Sequence, residues 1–123
     1  MSKAMTFEGV GDLRFLQYCF LEVLRLDPPV PMSSFACMTE ALTIQGLLLD
    51  AHQPFVIDNR SLHVNPTQWQ QPESFLPERF DPQSYLYKAP GGGKRHPCSF
   101  APFLGGKRVC LGKTFAETAA KYF

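Results

Sequence analysis

Residues Phe103 to Gly112 read FLGGKRVCLG, a single cysteine among glycines, with a phenylalanine seven residues ahead of it and an arginine two ahead. Gly105 and Gly106 permit tight or left-handed backbone that a side chain would oppose, so the loop can fold closely under a flat ligand. The segment that follows, KTFAETAAKYF, is rich in helix formers and sets Phe115, Ala116, Ala119, Ala120 and Phe123 roughly on one face. Cys110 therefore stands just before a helix N-terminus. Unpaired N–H groups and the positive end of the helix dipole favour an anionic sulfur there, which is how a thiolate is presented to a metal. Phe103 can cover that sulfur from water, and Arg108 can offer a guanidinium fork to a neighbouring anion.

A second pattern lies upstream, in DLRFLQYCFLEVLRLDPPVP, residues 12 to 31. From Asp12 to Leu26 nearly every position is apolar, which predicts a helix buried all round. Asp12 is placed to cap its start, and Asp27 ahead of Pro28 and Pro29 marks its end. Glu22 and Arg25 are charged residues set in its apolar second half. On a surface, such a pair would contribute only about 0.2–0.5 kcal/mol. In apolar surroundings the charges need partners, so they are expected to recruit a further polar group from elsewhere in the chain. A third segment, FLPERFDP at 75 to 82, holds Arg79 between prolines. Between these lie an apolar run at 41 to 49, broken by Gln45 and Gly46, and a short run at 54 to 57. Together they predict a small β-sheet with a turn.

The Phe103, Gly106, Arg108, Cys110 and Gly112 pattern resembles the haem-binding signature of the cytochrome P450 family. Five fixed positions at background usages of a few per cent give a chance match on the order of 10⁻⁵. The resemblance extends over residues 12 to 123 through Glu22 and Arg25, through LHVNPTQWQQPESF with a short helix expected around Trp69, and through Arg79. It implies that Cys110 ligates the iron of haem b, iron protoporphyrin IX, with Phe103, Gly106, Arg108 and Gly112 binding the cofactor. It also implies that Glu22, Arg25 and Arg79 form a structural triad behind the loop, with no catalytic group of their own. Many members carry an arginine for a haem propionate after the helix-ending prolines, where this chain has Phe35. His63 is a weaker polar candidate there and reads more readily as a structural hydrogen-bonder.

The resemblance implies an α+β chain, the C-terminal part of a mainly helical haem-thiolate fold. Members are several times longer, so residues 1–123 are expected to form a single partial domain. It would comprise the Glu22–Arg25 helix, the small sheet, the meander, the cysteine loop and the start of the following helix. The implied function is a monooxygenase inserting one atom of O₂ into a small organic substrate, with electrons from NADPH through a reductase or a ferredoxin. The alternative is a truncated haem-binding fragment without turnover, and this stretch alone is not expected to be competent. A basic cluster, Lys94, Arg95, Lys107, Arg108 and Lys113, surrounds the loop and suits an acidic redox partner. For Lys94 and Arg95, within GGGKRH, a merely solvated loop is nearly as good a reading.

The remaining sequence sets bounds. With 123 residues, 45% of them hydrophobic, and eleven phenylalanines, the chain holds enough apolar material for one core. A net charge of +1 gives no reason to propose nucleic acid. The four cysteines, Cys19, Cys37, Cys98 and Cys110, contain no CxxC pair, and disulfides are not implied. Zinc held by His96, Cys98 and Cys110 is far weaker than haem, for want of recognisable ligand spacing and a fourth ligand. A cysteine-based redox or nucleophilic protein using Cys110 without haem is a further alternative, weakened because no histidine is placed near it in sequence. No signal peptide or membrane span is visible, although the resemblance is compatible with a membrane-associated full-length parent.

Overall fold

Helix α1 (Arg14–Leu26) supplies the element on which the rest is assembled, in a computed structural model that describes residues 13–122. Leu13 occupies its N-cap position without a side-chain hydrogen bond, and the capping role expected of Asp12 lies outside the described residues. Asp27 ends the helix, its N–H donating to the Val23 carbonyl at 2.8 Å before two prolines prevent continuation. The expectation of all-round burial is corrected. Glu22, Leu24 and Arg25 are buried, whereas Leu13, Phe15, Leu16 and Val23 are exposed, Phe15 by 61%. The buried residues cluster in the last turns, where α1 meets the Pro77–Phe80 turn; residues 17–21 are half-buried, and Phe15, Leu16 and Val23 lie on a side that the described residues leave open.

The β-structure is divided into two antiparallel pairs. Strand β1 (Ala36–Cys37) pairs with β4 (Pro54–Phe55), with Ala36 opposite Phe55. Strand β2 (Leu42–Ile44) forms a hairpin with β3 (Leu47–Leu49), with Thr43 opposite Leu48. Gln45 and Gly46 turn that hairpin with φ of 50° and 84°, the two positive values that a two-residue type I′ connection demands. Leu42, Ile44, Leu47 and Leu48 on the hairpin are exposed.

A short helix α2 (Asn59–His63) follows, started by Asp58, whose carboxylate accepts the Ser61 N–H at 3.0 Å and the Ser61 hydroxyl at 2.6 Å. The short helix expected around Trp69 is not found there, and the one helix of this region lies upstream. The cap at Asp58 fixes the helix there, and Trp69 itself sits in a run of turns beginning at Asn65. Beyond it the chain is irregular, punctuated by single 3₁₀ turns at Pro77–Phe80, Tyr85–Tyr87, Pro97–Ser99 and Gly106–Arg108, until α3 (Lys113–Tyr122). No helix among the described residues is long and apolar enough to cross a membrane.

The centre is unusual in its chemistry. Among the described large apolar side chains, Leu24, Trp69 and Leu86 are the buried ones, while Glu22, Arg25, Asn59, His63 and Arg79 are buried almost completely. Polar groups thus occupy the interior, and much apolar surface faces outward on α1, the hairpin and α3. Patches of that kind bind other apolar surfaces. The isolated polypeptide should therefore bind a hydrophobic reporter dye such as ANS in native buffer and melt over a broad range. A sharp cooperative transition in a monodisperse, dye-negative sample would refute this.

Candidate functional site

The site begins with one carboxylate. Three residues apart on α1, Glu22 and Arg25 share a helix face, and they meet in a two-point contact. Arg25 Nε donates to Oε2 and Nη2 donates to Oε1, each at 2.8 Å. Arg79, carried by the Pro77–Phe80 turn, donates from Nε to the same Oε1 at 2.9 Å. The Leu76 N–H adds a third donor to that oxygen, the fourth to the carboxylate, at 2.9 Å. All three side chains are fully buried, so two cations surround one anion away from water.

The excess positive charge is spread over backbone carbonyls. Arg25 donates to the carbonyls of His63 (2.9 Å), Pro72 (2.7 Å) and Ser74 (3.2 Å). Arg79 donates to those of Gln70, Gln71 and, at 3.1 Å, Ser74. Residues 70–74 belong to neither helix nor sheet, so their carbonyls have no ladder to satisfy them. The guanidinium forks replace that ladder. Burial pulls the Arg79 guanidinium below its ordinary range, and hydrogen bonding to Glu22 opposes the shift.

Arg95 belongs to this interior, which corrects its assignment to an exposed basic cluster. Its guanidinium lies 4.1 Å from the centroid of the Trp69 ring and donates to the Arg79 carbonyl at 2.7 Å. Burial lowers its pKa to about 10. The aromatic face of Trp69 and the Arg79 carbonyl together draw it inward, a pull that the local sequence GGGKRH does not display. Lys94, Lys107, Arg108 and Lys113 remain exposed.

Two side chains join this interior to the cysteine loop. Trp69 donates from Nε1 to the carbonyls of Leu62 and Ser99, both at 3.3 Å. His63 accepts the Ala101 N–H on Nε2 at 3.0 Å. Phe100 packs between them, with ring centroids 5.2 Å from His63, 6.0 Å from Trp69 and 5.1 Å from Phe80. Burial holds the His63 imidazole neutral, with its pKa lowered to about 4, and the nearby Arg25 charge acts in the same direction. Of these connections only the structural character of His63 was legible beforehand. Trp69, Ser99 and Arg95 were missed, although a lone tryptophan between two prolines is a signal of an aromatic anchor.

From this base the loop rises to Cys110. Gly106 adopts φ 64°, a left-handed conformation that glycine accepts without penalty. Cys110 donates its N–H to the Phe103 carbonyl at 2.9 Å, which closes the loop, and its own carbonyl accepts from the Lys113 N–H at 3.3 Å where α3 begins. The thiol is free and exposed. Cys110 and Phe103 both line a cavity of about 260 Å³ walled by Leu24, Pro29, Val30 and Leu104. Arg108 is exposed on the 3₁₀ turn, and a side chain at Gly112 would come within 3.8 Å of the Cys110 sulfur. An accessible sulfur at the mouth of an apolar cavity, flanked by exposed Val109 and Leu111, fits a large apolar cofactor bound through one thiolate. Among the described residues no group of three or more His, Cys, Asp or Glu could hold a metal ion, and His96 Nδ1 accepts the Cys98 N–H instead. The zinc alternative therefore finds no ligand cluster.

Comparison with known proteins gives a consistent family. The cytochrome P450 family model matches residues 2–123. Human cytochrome P450 4F12 is 34% identical over 119 residues, covering 97% of this chain and 21% of that protein. Rat cytochrome P450 4F6 is 36% identical over 115 residues, covering 94% and 20%. Among solved structures, retinoic acid-bound cyanobacterial CYP120A1 matches with a TM-score of 0.83 at 30% identity, over 98% of this chain and 27% of that one. The chain thus spans about a fifth of the length of the curated relatives it matches.

Replacing Glu22 by alanine leaves two guanidiniums buried without their anion, a change that costs about 3–5 kcal/mol in comparable settings. The Glu22→Ala chain should lose its urea transition or partition to the insoluble fraction, and wild-type stability would contradict the geometry. His63 gives a pH signature. Its folded-state pKa, about 4, lies below the ordinary 6.5, so between those values the unfolded chain binds a proton that the folded chain refuses. Stability should fall as pH drops from about 6.5 towards about 4, by at most about 1.4 kcal/mol per pH unit. Urea midpoints measured across that window should decline less steeply for His63→Gln.

Proposed function

The chain belongs to the cytochrome P450 family, and from that premise we propose that it is the haem-ligating part of a monooxygenase. In this reading residues 1–123 are one partial domain. Cys110 is the iron ligand of haem b, and Phe103, Gly106, Arg108 and Gly112 line the cofactor. Glu22, Arg25 and Arg79 form the structural support behind it. The observation that carries the reading is the free Cys110 thiol, exposed on a closed loop at the mouth of an apolar cavity it shares with Phe103.

When bound through a thiolate, haem supplies the oxygen chemistry, inserting one atom of O₂ into a small organic substrate. The protein's own residues have narrower tasks. Cys110 provides the sulfur, exposed just ahead of α3, whose first N–H groups begin where the Cys110 carbonyl accepts from Lys113. Phe103 limits water at that sulfur from the same cavity. Arg108 offers two parallel N–H donors to a carboxylate at the cofactor's edge. The exposed Lys107, Arg108 and Lys113 suit an acidic electron donor, a reductase or ferredoxin supplied by NADPH, and Arg95 is withdrawn from that surface.

A second reading, a haem-binding fragment without turnover, draws support from the exposed apolar faces and from the fifth of its relatives' length that the chain spans. The two readings share the cofactor and differ in whether a distal half accompanies it. Haem reconstitution, followed by the difference spectrum of the reduced, carbon monoxide-bound form, tests what they share. The wild type and Cys98→Ala should both give the band of thiolate-ligated haem, and Cys110→Ala should lose it. Identical spectra for the two variants would remove Cys110 as the ligand.

A further inference from the structure

The cysteine loop is held at its base by an unexpected side chain. His63 is the last residue of α2, is fully buried, and makes contacts in two directions. Its carbonyl accepts from Arg25 Nη1 at 2.9 Å, which binds it to the charge cluster. Its Nε2 accepts the Ala101 N–H at 3.0 Å, nine residues ahead of Cys110. Because Nε2 is an acceptor, the ring's proton resides on Nδ1. Nδ1 is buried and lacks a hydrogen-bond partner of its own, while the ring neighbours the Leu24 and Arg25 backbone at the end of α1. The imidazole is thus wedged between the helix that carries Glu22 and the strand of chain that enters the loop.

We propose that His63 is a positioning residue for the Cys110 loop, transmitting the fixed geometry of the Glu22–Arg25–Arg79 cluster to the Ala101 backbone through its Nε2 lone pair. The Ala101 N–H lies in neither helix nor sheet, and His63 is the partner that satisfies it. Two residues further on, Phe103 provides the carbonyl that receives the Cys110 N–H. Between them, the Ala101 carbonyl accepts the Leu104 N–H at 3.0 Å. Displacing Ala101 therefore displaces both ends of the loop's closure. Phe100, tilted against His63 and edge-on to Trp69, restrains the ring but offers the amide nothing.

The loop geometry is a property of the chain without its cofactor, so the first test needs none. Amide hydrogen exchange would be followed by residue in the wild type and in His63→Leu, His63→Asn and His63→Gln. Glutamine places an acceptor near the Nε2 position, whereas asparagine keeps polarity but stops short of Ala101. Exchange at Ala101, Leu104 and Cys110 should accelerate about tenfold in the Leu and Asn variants, the scale of one lost buried hydrogen bond. It should return towards wild type in His63→Gln. The Leu76 amide, bound to Glu22, should change little in any of them. Uniform acceleration that includes Leu76, unchanged exchange at Ala101, or failure of Gln to rescue where Asn fails would each overturn the proposal. It rests on the reading of Cys110 as ligand only for its consequence. In reconstituted samples the Asn variant should lose the thiolate-type band faster than the Gln variant, and a wild type with no such band would count against the ligand and leave the exchange result standing.

Discussion

One carboxylate oxygen, Oε1 of Glu22, accepts from Arg25, Arg79 and the Leu76 N–H, and the surrounding fold is arranged about that convergence. It ties α1 to a turn 57 residues further along the chain. A buried ion cluster is weak grounds for stability in itself, since desolvation offsets much of the Coulomb gain. Here the guanidiniums have a second task, the carbonyls of the irregular segment 70–74, which no regular element satisfies. Apolar residues of equal volume could fill the same space, yet they would strand those carbonyls. Charge is retained because the Gln70, Pro72 and Ser74 carbonyls around it rely on the guanidiniums.

That arrangement also explains what the sequence makes legible. Glu22 and Arg25 announce themselves because two charges in the apolar later half of the helical run share a face. The hairpin turn follows from the break at Gln45 and Gly46, though not the positive φ of Gln45, and α3 follows from its Ala, Glu and Lys content. Arg79 is different. Its meeting with Glu22 depends on tertiary contact across 57 residues, and the resemblance, rather than any local pattern, is what pairs them. Arg95 is harder again, because the feature that draws it inward is the face of Trp69, 26 positions away in a turn whose geometry no periodicity encodes. Strand β1 has only two residues, Ala36 and Cys37, too few to carry an alternation.

Helix α1 shows a complementary limit. Its composition correctly identifies a helix made for burial, but composition cannot say which neighbours do the burying. Phe15, Leu16 and Val23 are exposed because they lie on a side of α1 that the described residues leave open. The same holds for Leu111 and Phe115 beside the cysteine loop and for the leucines of the hairpin. A chain spanning about a fifth of its relatives' length accounts for such faces, since surfaces shaped for contact remain apolar wherever the contact lies beyond the chain.

Polar interior and apolar exterior together define a division of labour. Non-directional apolar packing tolerates small shifts, whereas hydrogen bonds between 2.7 and 3.3 Å fix orientation as well as distance. A cysteine loop with the role proposed for it, holding a flat cofactor through one sulfur, needs the second kind of restraint. The connections from Glu22 through Arg25 to the His63 carbonyl, and from the His63 ring to Ala101, are of that kind. So is the path from Arg79 through Arg95 and Trp69 to Ser99. Two routes from the same carboxylate thus converge on residues 99–101, just where the loop leaves the interior, and the flexible glycines begin only beyond them. The loop can adapt at Gly105 and Gly106 while its base stays in place, which lets one segment combine close approach to a ligand with a fixed point of attachment.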